Sequence, residues 1–119
     1  MAADVKLAKE YEVRARDVSM SLTIGEGQFG TSDVLLDGKR IARASGSIGN
    51  LRIGTGTELV GKDLLVRSIV NDVSRNTNRM SVKYSFVGGS IRQEFIAKGS
   101  VADEGELLVF EGTFSFVKA

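Results

Sequence analysis

The chain has 119 residues, with 16 lysines and arginines against 15 aspartates and glutamates, and it has neither cysteine nor histidine. Its length fits one domain, and its hydrophobic fraction of 42% is that of a folded protein, not of a disordered chain. The balanced charge argues against nucleic-acid binding, which usually needs a basic surplus. The missing residue types exclude disulfides, Cys/His zinc sites and histidine-based triads.

The N-terminal segment, MAADVKLAKEYEVRARD, is charged throughout and lacks the apolar region of a signal peptide. No apolar run approaches the roughly 18 residues of a membrane-spanning helix. We therefore expect a cytoplasmic protein without membrane contact, with secretion by a signal-free route left open. Leu7 and Tyr11 are spaced as on a helix, and we predict a short helix or a loose arm over residues 1–10. The segment YEVRARD can equally begin a strand.

Glycine is frequent, with 14 residues, and proline is absent. Glycines separate short runs of apolar and β-branched residues, a pattern typical of strands joined by tight turns. Met20, Leu22 and Ile24 alternate with hydroxyl residues, which predicts a strand. The dipeptide Asp37-Gly38 lies between two apolar runs and predicts a hairpin with a type I′ turn. Residues 64–73 are rich in β-branched side chains and are predicted as a further strand, although their apolar positions also fit a helix loosely.

The second half of the chain continues the strand pattern. Two segments have apolar residues at every second position, namely Met80, Val82, Tyr84 and Phe86 in one and Leu108, Phe110, Phe114 and Phe116 in the other. Gly88-Gly89 predicts a second hairpin, and ADEGE at residues 102–106 predicts a third turn. The C-terminal segment is apolar enough to pair with another chain if exposed as an edge, so we expect it inside a sheet or at a subunit interface.

These elements predict a single all-β domain over residues 1–119 with about eight strands. The connections are short, so most strand pairs should be antiparallel. The architecture is either an antiparallel β-sandwich or a small closed β-barrel, with or without a short N-terminal helix.

The motif Gly25-x-Gly27-x-x-Gly30, with Phe29 before its last glycine, resembles the glycine-rich loop of protein kinases. The resemblance covers seven residues, "IGEGQFG". Ser32 stands where the kinase motif has valine, and the other kinase motifs are missing. A Rossmann fingerprint must open a helix, whereas this motif precedes a predicted strand. We interpret it as a turn between strands, with Phe29 packing over the core.

A second stretch, GTGTELVGKD at residues 54–63, resembles a P-loop. A P-loop requires Ser or Thr after its lysine to hold magnesium, and a helix must follow. Asp63 follows Lys62 instead, and the next residues are predicted as strand. We interpret this stretch as a turn as well.

Two loops are the candidate binding sites. The first is the glycine-rich turn, and the second lies in NDVSRNTNR, which is the most polar segment of the chain. Its oxygen-rich side chains do not match the spacing of an EF-hand, and Asx turns explain them better. The candidate binding residues are Gly25, Gly27, Gln28, Phe29, Gly30, Arg75, Asn76, Asn78 and Arg79.

The composition favours a non-catalytic function. We predict a small binding or assembly module that binds copies of itself or another protein, without cofactor or metal. An alternative is a small β-barrel that holds or acts on an apolar ligand, with Phe86, Phe95 and Phe110 lining its cavity. A nucleotide or another anion at the glycine loops is a third hypothesis. Catalysis by a pair of carboxylates stays open, but no two can be placed across a cleft from the sequence.

Overall fold

The computed structural model describes residues 3–119 and contains nine strands and one helical turn. Residues 1 and 2 of the predicted N-terminal helix or arm lie outside the described residues. The elements are β1 (Val5–Val13), β2 (Asp17–Ile24), β3 (Phe29–Leu36), β4 (Lys39–Ser45), β5 (Ile48–Thr55), α1 (Gly56–Leu59), β6 (Asp63–Asn71), β7 (Arg79–Val87), β8 (Gln93–Ser100) and β9 (Leu107–Lys118).

The strands form two sheets packed face to face. Sheet A has the order β1-β9-β6-β3-β4, and sheet B has the order β5-β2-β7-β8. The prediction of an all-β sandwich is therefore confirmed. The closed-barrel alternative is wrong, because β4 and β5 follow each other in the chain but belong to different sheets, which leaves the sandwich open along that side.

The N-terminal segment is a strand, so the predicted helix or loose arm is wrong for the described residues. Strand β1 pairs in parallel with β9, from Val5 opposite Phe110 to Val13 opposite Lys118. Among the strands of the described residues, this is the one parallel pair, and the other pairs are antiparallel. Tyr11 and Val13 are buried in the core, and this burial outweighs the weak helical spacing that residues 1–10 show in the sequence.

The predicted strand faces are confirmed by burial. The inward positions of β7, namely Met80, Val82, Tyr84 and Phe86, are all buried, as are Phe110, Phe114 and Phe116 of β9. The ring of Phe86 lies 6.2 Å from Phe95 and 4.8 Å from Phe114, measured between ring centroids. Packed rings therefore occupy the space that the barrel hypothesis gave to an apolar ligand.

Two of the predicted turns connect paired strands. Asp37 and Gly38 both have positive φ, at 49° and 82°, as a type I′ turn requires, and they join β3 to β4. Gly88-Gly89 begins the connection from β7 to β8, which extends over residues 88–92. The turn at residues 102–106 leads from β8 in sheet B to β9 in sheet A.

Strand β9 lies between β1 and β6. The expectation that the C-terminal segment lies inside a sheet is therefore confirmed. Both edges of the strand are paired within the chain, so another chain cannot pair with it edge to edge.

The strand directions place alternate connections at opposite ends of the sandwich. The connections at residues 25–28, 46–47, 72–78 and 101–106 share one end, which we call the loop end. The opposite end carries residues 14–16, 37–38, 56–62 and 88–92. Both candidate binding loops thus lie at the loop end, whereas the P-loop-like stretch lies at the other.

Candidate functional site

The side chain of Gln28 joins the two candidate loops. It is only 8% exposed, and its Oε1 accepts hydrogen bonds from the backbone amides of Val73 at 2.8 Å and Ser74 at 2.9 Å. Its Nε2 lies 2.7 Å from Asp72 Oδ1, 3.1 Å from the carbonyl oxygen of Thr77 and 3.0 Å from that of Arg79. An amide nitrogen has two hydrogens, so these three acceptors share them.

The glycine-rich motif is a tight turn at the start of this arrangement. Glu26 and Gly27 have positive φ, at 61° and 71°, and the backbone amide of Gln28 donates to the carbonyl oxygen of Gly25 at 3.2 Å. Gly30 begins the inward face of β3 and is buried. The interpretation as a turn between strands is confirmed.

Phe29 does not pack over the core as predicted. It is 47% exposed, because it stands at the first position of β3, where odd-numbered residues face outward from sheet A. The inward positions are taken by Gly30, Ser32 and Val34, all buried.

The second candidate loop is built on hydroxyl groups more than on asparagines. The Ser74 hydroxyl accepts from the amide of Asn76 at 3.2 Å, and the Thr77 hydroxyl accepts from the amide of Arg79 at 3.1 Å. These contacts are ST turns, so the prediction of Asx turns missed the residue type.

The other side chains of this loop differ in their surroundings. Asn78 Nδ2 donates to the carbonyl oxygen of Ala102 at 3.2 Å and thereby joins the loop to the next connection. Arg75 and Asn76 are exposed. Arg79 is also exposed, with its Nε 4.0 Å from Glu26. The structure thus brings all nine predicted residues to one end of the sandwich.

An exposed apolar patch adjoins these loops, and the sequence analysis missed it. In sheet A, Asn71 pairs with Phe29 on one side and Leu107 on the other, while Ile69 occupies the next outward position of β6. Val73 follows at the start of the loop. The exposed fractions are 47% for Phe29, 36% for Ile69, 57% for Val73 and 44% for Leu107. We call these four residues the loop-end patch.

The sequence did contain a signal for the patch. Strand β6 has apolar residues on both of its faces. Leu64, Val66 and Val70 face inward, and Leu65 and Ile69 face outward. A strand with one solvated face normally alternates apolar and polar residues. The apolar residues at the outward positions, which also made a helix conceivable for this segment, belong to the exposed surface of sheet A.

Next to the patch, five charged residues lie in one row across sheet A. Their signs alternate from strand to strand, because Arg43 is opposite Asp33, Asp33 opposite Arg67, Arg67 opposite Glu111 and Glu111 opposite Lys6. Arg67 Nη1 lies 3.1 Å from Glu111 Oε2, and Arg43 Nε lies 3.7 Å from Asp33 Oδ1. We call these residues the charge row. A depression of about 310 Å³ lies between the charge row and the patch.

Two buried polar atoms lack a hydrogen-bond partner within the described residues. One is Asp72 Oδ2, whose carboxylate contacts Gln28 through the other oxygen, and the second is the hydroxyl of Tyr84. Burial raises the pKa of Tyr84 above its ordinary value of 10.0. By contrast, the Tyr11 hydroxyl donates to the carbonyl oxygen of Ile91 and accepts from the amide of Gly89.

The P-loop-like stretch forms one wall of a surface cavity of about 620 Å³ at the opposite end. Its helical turn α1 begins with a capping box between Thr55 and Glu58. Strand β6 follows, as predicted. Gly56 lies so close to the backbone of Arg14 that a side chain there would overlap its carbonyl oxygen. The glycine therefore serves the packing of this turn against the β1–β2 connection.

Comparison of the chain with models of known protein families, with curated proteins and with solved structures finds no match. Among residues 3–119, no three carboxylates are placed to hold a metal ion. The same part of the chain has no helix that is both long and apolar enough to cross a membrane.

Proposed function

We propose that this protein is a small non-catalytic β-sandwich that binds another protein surface through the loop end of sheet A, with a second copy of itself as the partner. The observation that carries the proposal is the loop-end patch. Exposed apolar clusters rimmed by polar residues are characteristic of protein-interaction sites, and here the rim contains the candidate loops and the charge row.

The rigidity of the site supports the same proposal. Gln28 connects the loop at residues 25–28 to the loop at residues 72–78, so both present a fixed surface beside Phe29. A preformed surface loses less conformational entropy on binding than a flexible one. An aromatic side chain such as Phe29 is a typical anchor residue of protein interfaces.

A dilution series followed by amide NMR shifts tests this proposal. Self-association through the patch should shift the amides of Phe29, Ile69, Val73 and Leu107 as concentration rises. The amide of Ile96, which is exposed on sheet B, serves as the control and should not move. Shifts that are absent, or that concentrate on sheet B, would contradict the proposal.

A further inference from the structure

The charge row points to a specific arrangement of two copies, an inference that rests on the proposed function. Its signs alternate in the order +, −, +, −, + from β4 to β1. An alternating row is complementary to itself when rotated by 180° about an axis that lies between two of its members. A row of uniform charge would instead repel its own copy.

We infer that two copies pack sheet A against sheet A about a twofold axis that runs along the strands between β3 and β6. This rotation places β3 over β6 of the second copy and β4 over its β9. Asp33 then faces Arg67 of the second copy, and Arg43 faces Glu111. Each opposite-charge contact occurs twice, as an isologous interface requires.

The same axis also matches the apolar residues. Residues that pair between β3 and β6 within one copy face each other between the copies. Phe29 therefore lies over Asn71 of the second copy and beside Ile69. Leu35 lies over Leu65. The depression between β4, β3 and β6 falls close to the axis, where a facing side chain fills it.

An axis between β6 and β9 would also pair opposite charges, but it would leave Arg43 without a facing strand. It would put β3 over β1 of the second copy, and β4 would lie outside the overlap. Phe29 is level with Leu107 and would then lie beyond Val5, the first residue of β1, while the depression beside Arg43 would lie at the margin of the overlap. The axis between β3 and β6 is therefore the arrangement that the surface favours.

The overlapping face has the size of a small specific interface. Four strands of each copy overlap, namely β9, β6, β3 and β4, and at a spacing of about 4.8 Å they give a width of about 19 Å, while seven residues along β3 give a length of about 23 Å. Such a face buries roughly 900 Å² over both copies before side-chain relief and roughly 1,000–1,200 Å² with it, at the lower end of the range of specific interfaces. The apolar contacts supply most of the affinity, and the charge row fixes the register, since buried ion pairs gain little against their desolvation cost.

Charge reversal followed by mixing tests this arrangement. Arg43→Glu places like charges opposite Glu111 of the second copy, and Glu111→Arg places like charges opposite Arg43. Each variant alone should dimerise about 100-fold more weakly or worse. An equimolar mixture should recover the dimer, because the two variants are complementary. Arg43 and Glu111 are on strands separated by β3 and β6, so repair within one chain cannot produce this recovery.

Lys98→Glu, on the outer face of sheet B, is the matched control and should dimerise as the wild type does. Sedimentation velocity measures all samples, and circular dichroism verifies that each variant is folded. Asp33→Arg with Arg67→Asp gives a second complementary pair if one variant of the first fails to fold.

The outcomes distinguish a failure of the proposed self-association from a failure of this arrangement alone. A monomeric wild type overturns the proposed self-association and this arrangement together. A wild-type dimer that tolerates Arg43→Glu, or a mixture that stays monomeric, overturns only the arrangement.

Discussion

Replacing Gln28 should open the loop end without disturbing the sheets. Gln28→Met keeps an unbranched side chain of similar length but removes the amide, so packing changes little while five hydrogen-bond contacts are lost. The amides of Val73 and Ser74, the carboxylate of Asp72 and two backbone carbonyls then lose their partner.

The expected cost follows from these contacts. A hydrogen bond contributes about 1 kcal/mol net, and a buried group left without a partner costs about 1–3 kcal/mol. Water can reach part of this end of the sandwich, which lowers the sum, and we expect a loss of about 3 kcal/mol in the free energy of unfolding. This is a large fraction of the roughly 6–18 kcal/mol expected for 119 residues.

Urea unfolding at 25 °C measures the global loss, and amide hydrogen exchange locates it. The amides of Val73 and Ser74 should exchange faster in Gln28→Met, whereas the amides of β9 should change only as global stability does. Gln93→Met, at the half-buried start of β8, is the matched control and should cost little. A loss below about 1 kcal/mol, with unchanged exchange at Val73 and Ser74, would refute the bridging role of Gln28.

Three further predictions concern the core and the opposite end. Tyr84→Phe should leave the free energy of unfolding unchanged or raise it by about 1 kcal/mol, because its buried hydroxyl has no hydrogen-bond partner among residues 3–119. Tyr11→Phe should instead lower the free energy of unfolding by about 1–2 kcal/mol, because two hydrogen bonds are lost. Both are measured by urea unfolding, and equal effects would contradict the assignment. Above about pH 10 the free energy of unfolding should fall as pH rises, because the unfolded chain releases the tyrosine proton while burial holds the pKa of folded Tyr84 higher. Urea unfolding across this pH range should show a shallower fall for Tyr84→Phe than for the wild type. An equal dependence of the free energy of unfolding on pH in both proteins would contradict this role of Tyr84. Gly56→Ala should lower the free energy of unfolding by about 3 kcal/mol, because the added methyl group overlaps the backbone of Arg14. Gly49→Ala is the control and should be tolerated, because the space around Gly49 is open. Thermal melting compares the two variants, and similar melting temperatures would contradict the prediction.

Much of the fold could be predicted because strand period and turn chemistry are local properties. The alternation at Met80–Phe86 and the Asp37-Gly38 turn needed no knowledge of distant contacts. Strand β1 could not be predicted in the same way, since its partner β9 is about 100 residues away and only that pairing decides against a helix. The choice between sandwich and barrel also depended on non-local contacts along the open side between β4 and β5.

The candidate site was predicted only in part for a similar reason. Glycines and asparagines marked the two loops, but their proximity depends on Gln28, whose five contacts come from residues 44 to 51 positions away. Phe29 was expected to pack inward because aromatic residues usually do. Its strand parity turns it outward, beside Ile69, and that exposure is the basis of the proposed function.

Sedimentation equilibrium of the wild-type protein is the most direct test of the claim that this sandwich assembles through sheet A. Self-association through sheet A predicts a weight-average mass that rises with concentration from 12.8 kDa towards twice that value, and Phe29→Ser should suppress the rise. A mass that stays at 12.8 kDa at every concentration would contradict the claim.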